Sequence, residues 1–185
     1  FRVNRAADIQ RLIRFAERQE IRAVVHGGRE AWIVAKQLAQ AEIPVVLNAL
    51  DNLPADFDSL GARLDNAALL HEAGVTVMFS SGETHNARKV RQVAGNAVAN
   101  GLPHSAGIQS MTSTPADIFG GESRLGAKGA IADLVVWSGD PLDVNSIAEA
   151  VVIGGIPDTM TSRQTKLRDR YLPESTELPR SYIKP

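Results

Sequence analysis

The sequence contains no cysteine and no excess of charge of either sign. Without cysteine the chain can form neither a disulfide framework nor a thiolate metal site, and it has no cysteine nucleophile. The 20 Lys and Arg residues are balanced by 21 Asp and Glu residues, which leaves a formal net charge of -1. The basic field that attracts a phosphate backbone is therefore missing, and we expect no nucleic-acid partner. The compartment stays open, because cytosolic and exported proteins alike can lack cysteine.

Long hydrophobic runs are also absent. The longest apolar runs, such as Ile43 to Leu50 and Ala130 to Trp137, are far shorter than the roughly 18 to 20 residues that span a bilayer. We therefore expect no membrane partner. The chain starts at Phe1 with no methionine and no signal-peptide pattern, and Phe1 to Asn4 has the pattern of a strand end. We expect the sequence to begin within a longer protein.

The residues that are present indicate a folded α/β protein. Hydrophobic residues make up 44% and charged residues 22% of the 185 residues, close to the globular average. Apolar strands are predicted to start near residues 1, 21, 43 and 75, and each is followed by a helical segment. This alternation predicts a parallel sheet. At about 31 residues per βα unit, four units and a tail fit the length, which corresponds to half of a (β/α)8 barrel.

Local capping residues predict where several helices begin. Asp8 is predicted to cap a helix that reaches Arg18, and Asp58 or Ser59 one that runs from about Leu60 to Glu72. A further helix is predicted from Glu30 to Gln40. Asn86 is predicted to cap a helix to about Asn100, which is followed by another that reaches about Thr112.

The pattern changes after Thr114, where short strands and glycine turns replace the βα alternation. Strands are predicted from Ala132 to Trp137 and from Ala148 to Ile153. We predict three segments: βα units in residues 1–113, a small β element in 114–157, and a terminal helix with an extended tail in 158–185.

Common cofactor signatures are missing, so candidate chemistry rests on polar residues at strand ends. The chain has no G-x-G-x-x-G after a strand, no Walker lysine loop, no H-E-x-x-H and no G-x-S-x-G. His26 ends the second predicted strand, where an imidazole can bind a metal or simply hydrogen-bond to the sheet rim. Asn48, Asp51 and Asn52 follow the third strand, where they could contact substrate or form Asx-turns that hold the loop.

Glu83 and His85 lie in the polar turn after the fourth strand. Two residues apart in extended backbone, they share a face and could act as base and ligand or as acid and base. The structural alternative is that Asn86 caps the next helix and Glu83 interacts favourably with its positive end.

Several longer motifs resemble the amidohydrolase superfamily, in particular its imidazolonepropionase-like branch. The similarity covers about the whole chain and is most specific in two motifs, T-x-x-P-A and A-D-L-V-V-W-x-G-D-P. These and two supporting segments occupy Gly74 to Ser81, Gly95 to Ala97, Thr112 to Gly120 and Ala132 to Leu142.

This resemblance implies that the chain is the C-terminal half of a (β/α)8 barrel flanked by a β-sandwich. It also implies one or two divalent metals, with zinc expected, that activate a water for hydrolysis of C–N bonds. The family ligands are an H-x-H on the first strand, histidines that end the fifth and sixth strands, and an aspartate that ends the eighth. His26 matches the sixth-strand histidine. Arg2 stands at the position of the fifth-strand histidine and Gly82 at that of the aspartate, with Glu83 one position later. A guanidinium has no free acceptor with which to ligate a cation.

Three hypotheses follow from the match and the departures. The parent is a metal-dependent hydrolase of a small-molecule substrate, with Glu83 as base and His26 as ligand, or it is a diverged protein that lost its metal and serves small-molecule binding or assembly. An unrelated α/β binding domain is the third. For the first, we predict that Asp51, Asn52, His85 and Arg88, in the loops after the third and fourth strands, contact the substrate. We expect the chain alone to be inactive, possessing no first-strand ligands, and to pair with a missing N-terminal half or a second copy because its strand edges are unpaired.

Overall fold

The computed structural model describes residues 1–121 and 128–172, and it contains two sheets. The first sheet is parallel throughout and its strands lie side by side in chain order. Its members are β1 (Arg2–Val3), β2 (Val25–Gly27), β3 (Val45–Leu47) and β4 (Val77–Phe79). Consecutive βα units of a barrel have this order, whereas a flavodoxin-type sheet would interleave its strands. The predicted fold class is confirmed.

Helices follow each strand of the parallel sheet. The α-helices are α1 (Ala6–Gln19), α2 (Ala35–Gln40), α3 (Asn66–Glu72), α4 (Val90–Ala99), α5 (His104–Gln109), α6 (Ser113–Phe119) and α7 (Arg163–Tyr171). Short 3-10 helices cover Ala31–Val34, Ala49–Asp51, Phe57–Ser59 and Thr84–Lys89. In the described ranges, no helix is both long and apolar enough to cross a membrane.

The second sheet is antiparallel and has three strands, β5 (Leu134–Trp137), β6 (Ala148–Ile153) and β7 (Ile156–Pro157). The sequence predicted the first two. The turn through Gly154 and Gly155, both at positive φ, brings β7 back along β6. The predicted terminal helix corresponds to α7, and the tail predicted after it lies outside the described residues beyond 172. The proposed boundary between residues 113 and 114 falls in the first turn of α6.

The two faces of the parallel sheet differ in chemistry. One face carries the fully buried side chains that pack with the helices, and these are Val25, Val45, Leu47, Val77 and Phe79. Strand register aligns a second row on the opposite face, consisting of Arg2, His26, Val46 and Met78. Because side chains alternate between faces along a strand, this second row points away from the helical core. In a barrel this is the inward face.

Three predicted helix starts are wrong, and in the first two a contact from elsewhere in the chain decides the outcome. Asp8 does not cap α1, because the Glu30 carboxylate accepts from the Ala6 amide at 3.0 Å and the helix begins earlier. Neither Asp58 nor Ser59 starts a long helix. Asp56 and Ser59 form a capping box around a single 3-10 turn. The chain then stays out of helical conformation at Gly61, whose amide donates to the Glu30 carboxylate and whose carbonyl accepts from the Trp32 indole.

Asn86 likewise does not cap a helix. Its amide donates to Glu83 Oε2 at 3.2 Å, and residues Thr84–Lys89 form a 3-10 helix that passes into α4 at Val90. The α-helix therefore begins four residues after the predicted cap.

A segment after β5 fastens the small sheet to α4 and α5. Leu142 is buried there, with its Cδ1 3.3 Å from the position that a Cβ would take on Gly107. Its carbonyl oxygen lies 2.5 Å from the corresponding Cβ position on Gly95. Leu142 therefore occupies the space in which a side chain at either glycine would lie.

Polar contacts hold the same segment. Asp140 accepts from the Leu142 amide at 2.9 Å and its carboxylate lies 2.9 Å from His104 Nε2. These two contacts lower the pKa of Asp140, the amide contributing most. The Arg91 guanidinium donates to the carbonyl of Asp143 at 2.7 Å and lies 4.9 Å from the ring centre of Trp137.

Candidate functional site

The predicted site residues lie along the carboxyl-terminal edge of the parallel sheet. His26 is the middle residue of the three-residue strand β2. Asp51 and Asn52 follow β3, and Glu83 and His85 follow β4. Because all four strands run in the same direction, these loops meet at one edge. A concavity at the opposite edge of the sheet, near Ile21 and Pro44, is lined by none of the predicted site residues.

His26 sits in the inward-facing row directly beside Arg2. The two residues are partners in the parallel register, and the imidazole is half-buried. Burial lowers the pKa of His26, and the positive charge of Arg2 lowers it further. The ring is therefore held in its neutral form at neutral pH, which is the form that donates a lone pair to a metal or accepts a hydrogen bond.

The described residues fit a divalent metal only in part. Neutral His26 is a suitable nitrogen ligand, but Arg2 offers no acceptor and Met78, in the same row, offers only a thioether. Nowhere in residues 1–121 and 128–172 do three or more His, Asp or Glu side chains come together as a metal-binding group. A metal at this edge would need further ligands from outside the described residues.

Glu83 and His85 are in contact, although His85 lies in the 3-10 helix Thr84–Lys89 and not in the extended backbone that the prediction assumed. Glu83 Oε2 lies 3.0 Å from His85 Nε2, and the Asn86 amide donates to the same carboxylate oxygen at 3.2 Å. Arg88 Nη1 donates to the His85 carbonyl at 3.0 Å, which stabilises the turn. Both members of the pair are mainly exposed, with 60% and 73% of their side-chain surface accessible. A carboxylate and an imidazole so arranged can pass a proton between them and a bound molecule.

Gly82 has the left-handed backbone that favours glycine, with φ of 78°. Its amide donates to Ser80 Oγ at 3.0 Å. A Cβ at this position would meet only Asn48 Nδ2, at 3.8 Å, so the space beside it is open. Asn48 itself accepts from the Leu50 amide at 3.3 Å, which is the Asx-turn that the sequence offered as an alternative.

The loop after β3 is held to neighbouring loops by charge. Arg29, which sequence analysis did not single out, bonds to Asp51 and, at 3.4 Å, to Asp56. Arg29 is itself mostly covered, with 18% of its side chain exposed. The Ser59 hydroxyl, together with Arg29, lowers the pKa of Asp56. Asp51 is thus paired, and its predicted contact with substrate stays a prediction.

Asn52 is buried under the same loop. Its side-chain amide donates to the Arg63 carbonyl and 2% of the residue is exposed. Here the amide holds the loop, and direct contact with substrate again stays a prediction. A second buried amide, Asn66, was also missed. It donates to the Gly28 carbonyl at 2.9 Å and accepts from the Trp32 amide at 3.2 Å, which fixes the turn that follows His26.

Known proteins resemble the chain in both sequence and fold. The sequence model of the amidohydrolase family matches residues 7–164. Amidohydrolase tasK from Hapsidospora irregularis is 38% identical over 90 residues, which are 47% of this chain and 9% of that protein. A crystal structure of an amidohydrolase from Thermotoga maritima MSB8 superposes with a TM-score of 0.75 at 32% identity, over 84% of this chain and 42% of the other.

A more distant structure supports the fold alone. A prolidase complexed with N-methylphosphonate-L-proline superposes with a TM-score of 0.61 at 24% identity, over 85% of this chain and 44% of the other. The chain spans less than half the length of the two solved structures and about a tenth of tasK.

Proposed function

Because this chain belongs to the amidohydrolase family, we propose that the whole protein hydrolyses an amide or another C–N bond of a small molecule. The family match confirms the resemblance to amidohydrolases that the motifs indicate. We further propose that the protein belongs to the imidazolonepropionase-like branch of this family. The observation that carries the proposal is the contact between Glu83 and His85 on the edge where His26 also lies. A carboxylate and an imidazole in contact can serve as the general base and the general acid of a hydrolysis.

Each residue has a distinct role in this proposal. Glu83 accepts the proton of the attacking water, and His85, hydrogen-bonded to it, returns a proton to the leaving nitrogen. Arg88, Asp51 and Asn52 would contact the substrate. The family generally uses divalent metals, and we propose zinc, which would take His26 as its ligand from this chain and supply polarisation of the carbonyl together with a more acidic water.

A second candidate function follows from Arg2. Its guanidinium occupies the register position beside His26 where a second nitrogen ligand would be expected. A permanently charged group there disfavours a bound cation. The alternative is therefore a diverged member of the family that binds a small molecule or serves assembly without a metal.

Substitution of Glu83 tests the hydrolase proposal. In the full-length protein, Glu83→Gln is expected to lower kcat/KM on an amide and dipeptide panel by about 10²- to 10⁴-fold, because the amide cannot accept the proton. The matched control is Glu72→Gln, an exposed glutamate at the end of α3, which should leave the rate unchanged. Full activity of the Glu83 variant would contradict the assignment.

Metal content separates the two candidate functions. We expect the purified full-length protein to carry zinc, measured by mass spectrometry, and His26→Asn to lower the zinc content. Zinc content that stays at background, together with no turnover on the panel, would favour the diverged, non-catalytic alternative.

We propose a partner for the open sheet edges as well. β1 and β4 are the outer strands of the parallel sheet, and each has one unpaired side among the described strands. Unpaired edges favour association. We propose that the missing N-terminal half of the barrel, or a second copy of the chain, covers them. Light scattering during size-exclusion chromatography of residues 1–185 should show association. With zinc added, the same sample should hydrolyse none of the panel substrates. A cooperatively folding monomer would contradict the pairing.

A further inference from the structure

We propose that Arg91 is a positioning residue for the Glu83–His85 pair, which it controls by fastening the start of α4 to the small sheet. The inference rests on the proposed function, because it assigns a task to that site. The residue lies in the first turn of α4 and belongs to no motif that the sequence analysis singled out.

Arg91 joins the helix to the small sheet by three contacts. One guanidinium nitrogen donates to the carbonyls of Asp143 and Pro141, at 2.7 and 3.2 Å. The guanidinium carbon lies 4.9 Å from the ring centre of Trp137 in β5, within the range of cation–π attraction. Because backbone carbonyls are the acceptors, these hydrogen bonds depend on the backbone conformation of residues 141–143. They do not depend on which side chains that segment carries.

The start of α4 is continuous with the turn that carries the pair. The 3-10 helix Thr84–Lys89 passes directly into α4, with the Val90 amide bonded to the Ala87 carbonyl. Within that helix the Asn86 amide returns to the Glu83 carbonyl at 3.0 Å. A displacement of Arg91 therefore reaches Glu83 and His85 through a short, hydrogen-bonded stretch without a flexible joint.

The pair itself needs such support. Glu83 and His85 are mainly exposed, and holding two exposed side chains in one geometry costs side-chain entropy. Fixing the backbone beneath them reduces that cost. The guanidinium of Arg91 is occupied by the small sheet, so it acts on the pair through the turn and not on a substrate.

The test measures the His85 ring without relying on activity. The rate of deuterium exchange at the imidazole Cε1–H of His85 is measured by mass spectrometry on the full-length protein, well below the unfolding temperature. Glu83→Gln supplies the rate of a ring that has lost its carboxylate partner. Arg91→Ala, and Arg91→Met, which keeps the stem over Trp137, should both move the His85 rate most of the way to that value. Arg91→Lys, which can still donate to a carbonyl, should restore part of the difference.

The matched control is Arg63→Ala. Arg63 covers the other tryptophan, Trp32, at 4.8 Å from its ring centre, but it lies in the loop after β3. Its loss should leave the His85 rate unchanged. The proposal is overturned if Glu83→Gln leaves the rate at its wild-type value, or if both Arg91→Ala and Arg91→Met do so while Glu83→Gln changes it. Neither result depends on hydrolysis, so an inactive protein would refute the proposed function and leave this inference standing.

Discussion

Replacing Leu142 by alanine should destabilise the protein by several kcal/mol, because this side chain joins the segment after β5 to the helices. Leu142 is 7% exposed and fills the space left by Gly95 and Gly107 between α4 and α5. The substitution removes the three carbons of its isopropyl group but keeps the backbone, so the contact from the Leu142 amide to Asp140 can persist. The effect therefore isolates the apolar contact.

The expected loss is about 3 kcal/mol. The removed groups contribute about 2.4 kcal/mol of transfer free energy, at about 0.8 kcal/mol per buried carbon group. A cavity adds to this, and measured Leu→Ala costs are about 2–5 kcal/mol. The site is at the margin of the core beside half-buried Pro141, where relaxation can close part of the cavity, so the lower half of that range applies. At about 2–4 °C per kcal/mol for a chain of this size, the melting temperature should fall by about 6–12 °C.

Urea and thermal unfolding of the wild-type protein and Leu142→Ala measure this difference. Val144→Ala is the matched control, because Val144 is 62% exposed two residues further along, and its loss should change stability by no more than about 0.5 kcal/mol. A Leu142→Ala loss under about 1 kcal/mol would refute the view that Leu142 anchors the small sheet to the helices.

Three further outcomes follow from the structure. Gly95→Ala, which in an ordinary helix interior would stabilise by about 1 kcal/mol, should here cost about 1–3 kcal/mol because its Cβ would lie 2.5 Å from the Leu142 carbonyl; urea unfolding gives the sign. Because burial lowers the folded-state pKa of His26, the unfolded chain takes up the proton first, so stability should fall as pH drops below about 6.5, and His26→Gln should flatten the slope between pH 7.5 and 5.5. Asn66→Ala should cost about 2–4 kcal/mol, since the Gly28 carbonyl and the Trp32 amide lose their partner; a calorimetric melt unchanged from wild type would contradict this.

Local sequence pattern was enough to find the four strands of the parallel sheet. Runs such as Ile43 to Leu47 and Val75 to Phe79 are apolar and β-branched, and their carboxyl-terminal residues form β3 and β4. The strands are shorter than predicted because ladder pairing depends on the neighbouring strand. Ile21 to Val24 precede the paired residues of β2, for example, although the same apolar pattern includes them.

Helix starts and loop contacts depended on partners far along the chain. Glu30 fixes the first turn of α1 from 24 residues away, and Asn66 holds the turn after His26 from 38 residues away. No window of local sequence contains both members of such a pair. The Glu83–His85 contact could be predicted because both residues belong to one turn, whereas Arg29 and Arg91 could not, as each binds carboxylates or carbonyls more than 20 residues distant.

The row formed by Arg2, His26, Val46 and Met78 has a consequence for how water reaches the inward face of the sheet. Exposure falls along it, from exposed Arg2 through half-buried His26 and Val46 to Met78, which is 1% exposed. Hydration, and with it the screening of charge, therefore declines from one side of the sheet to the other.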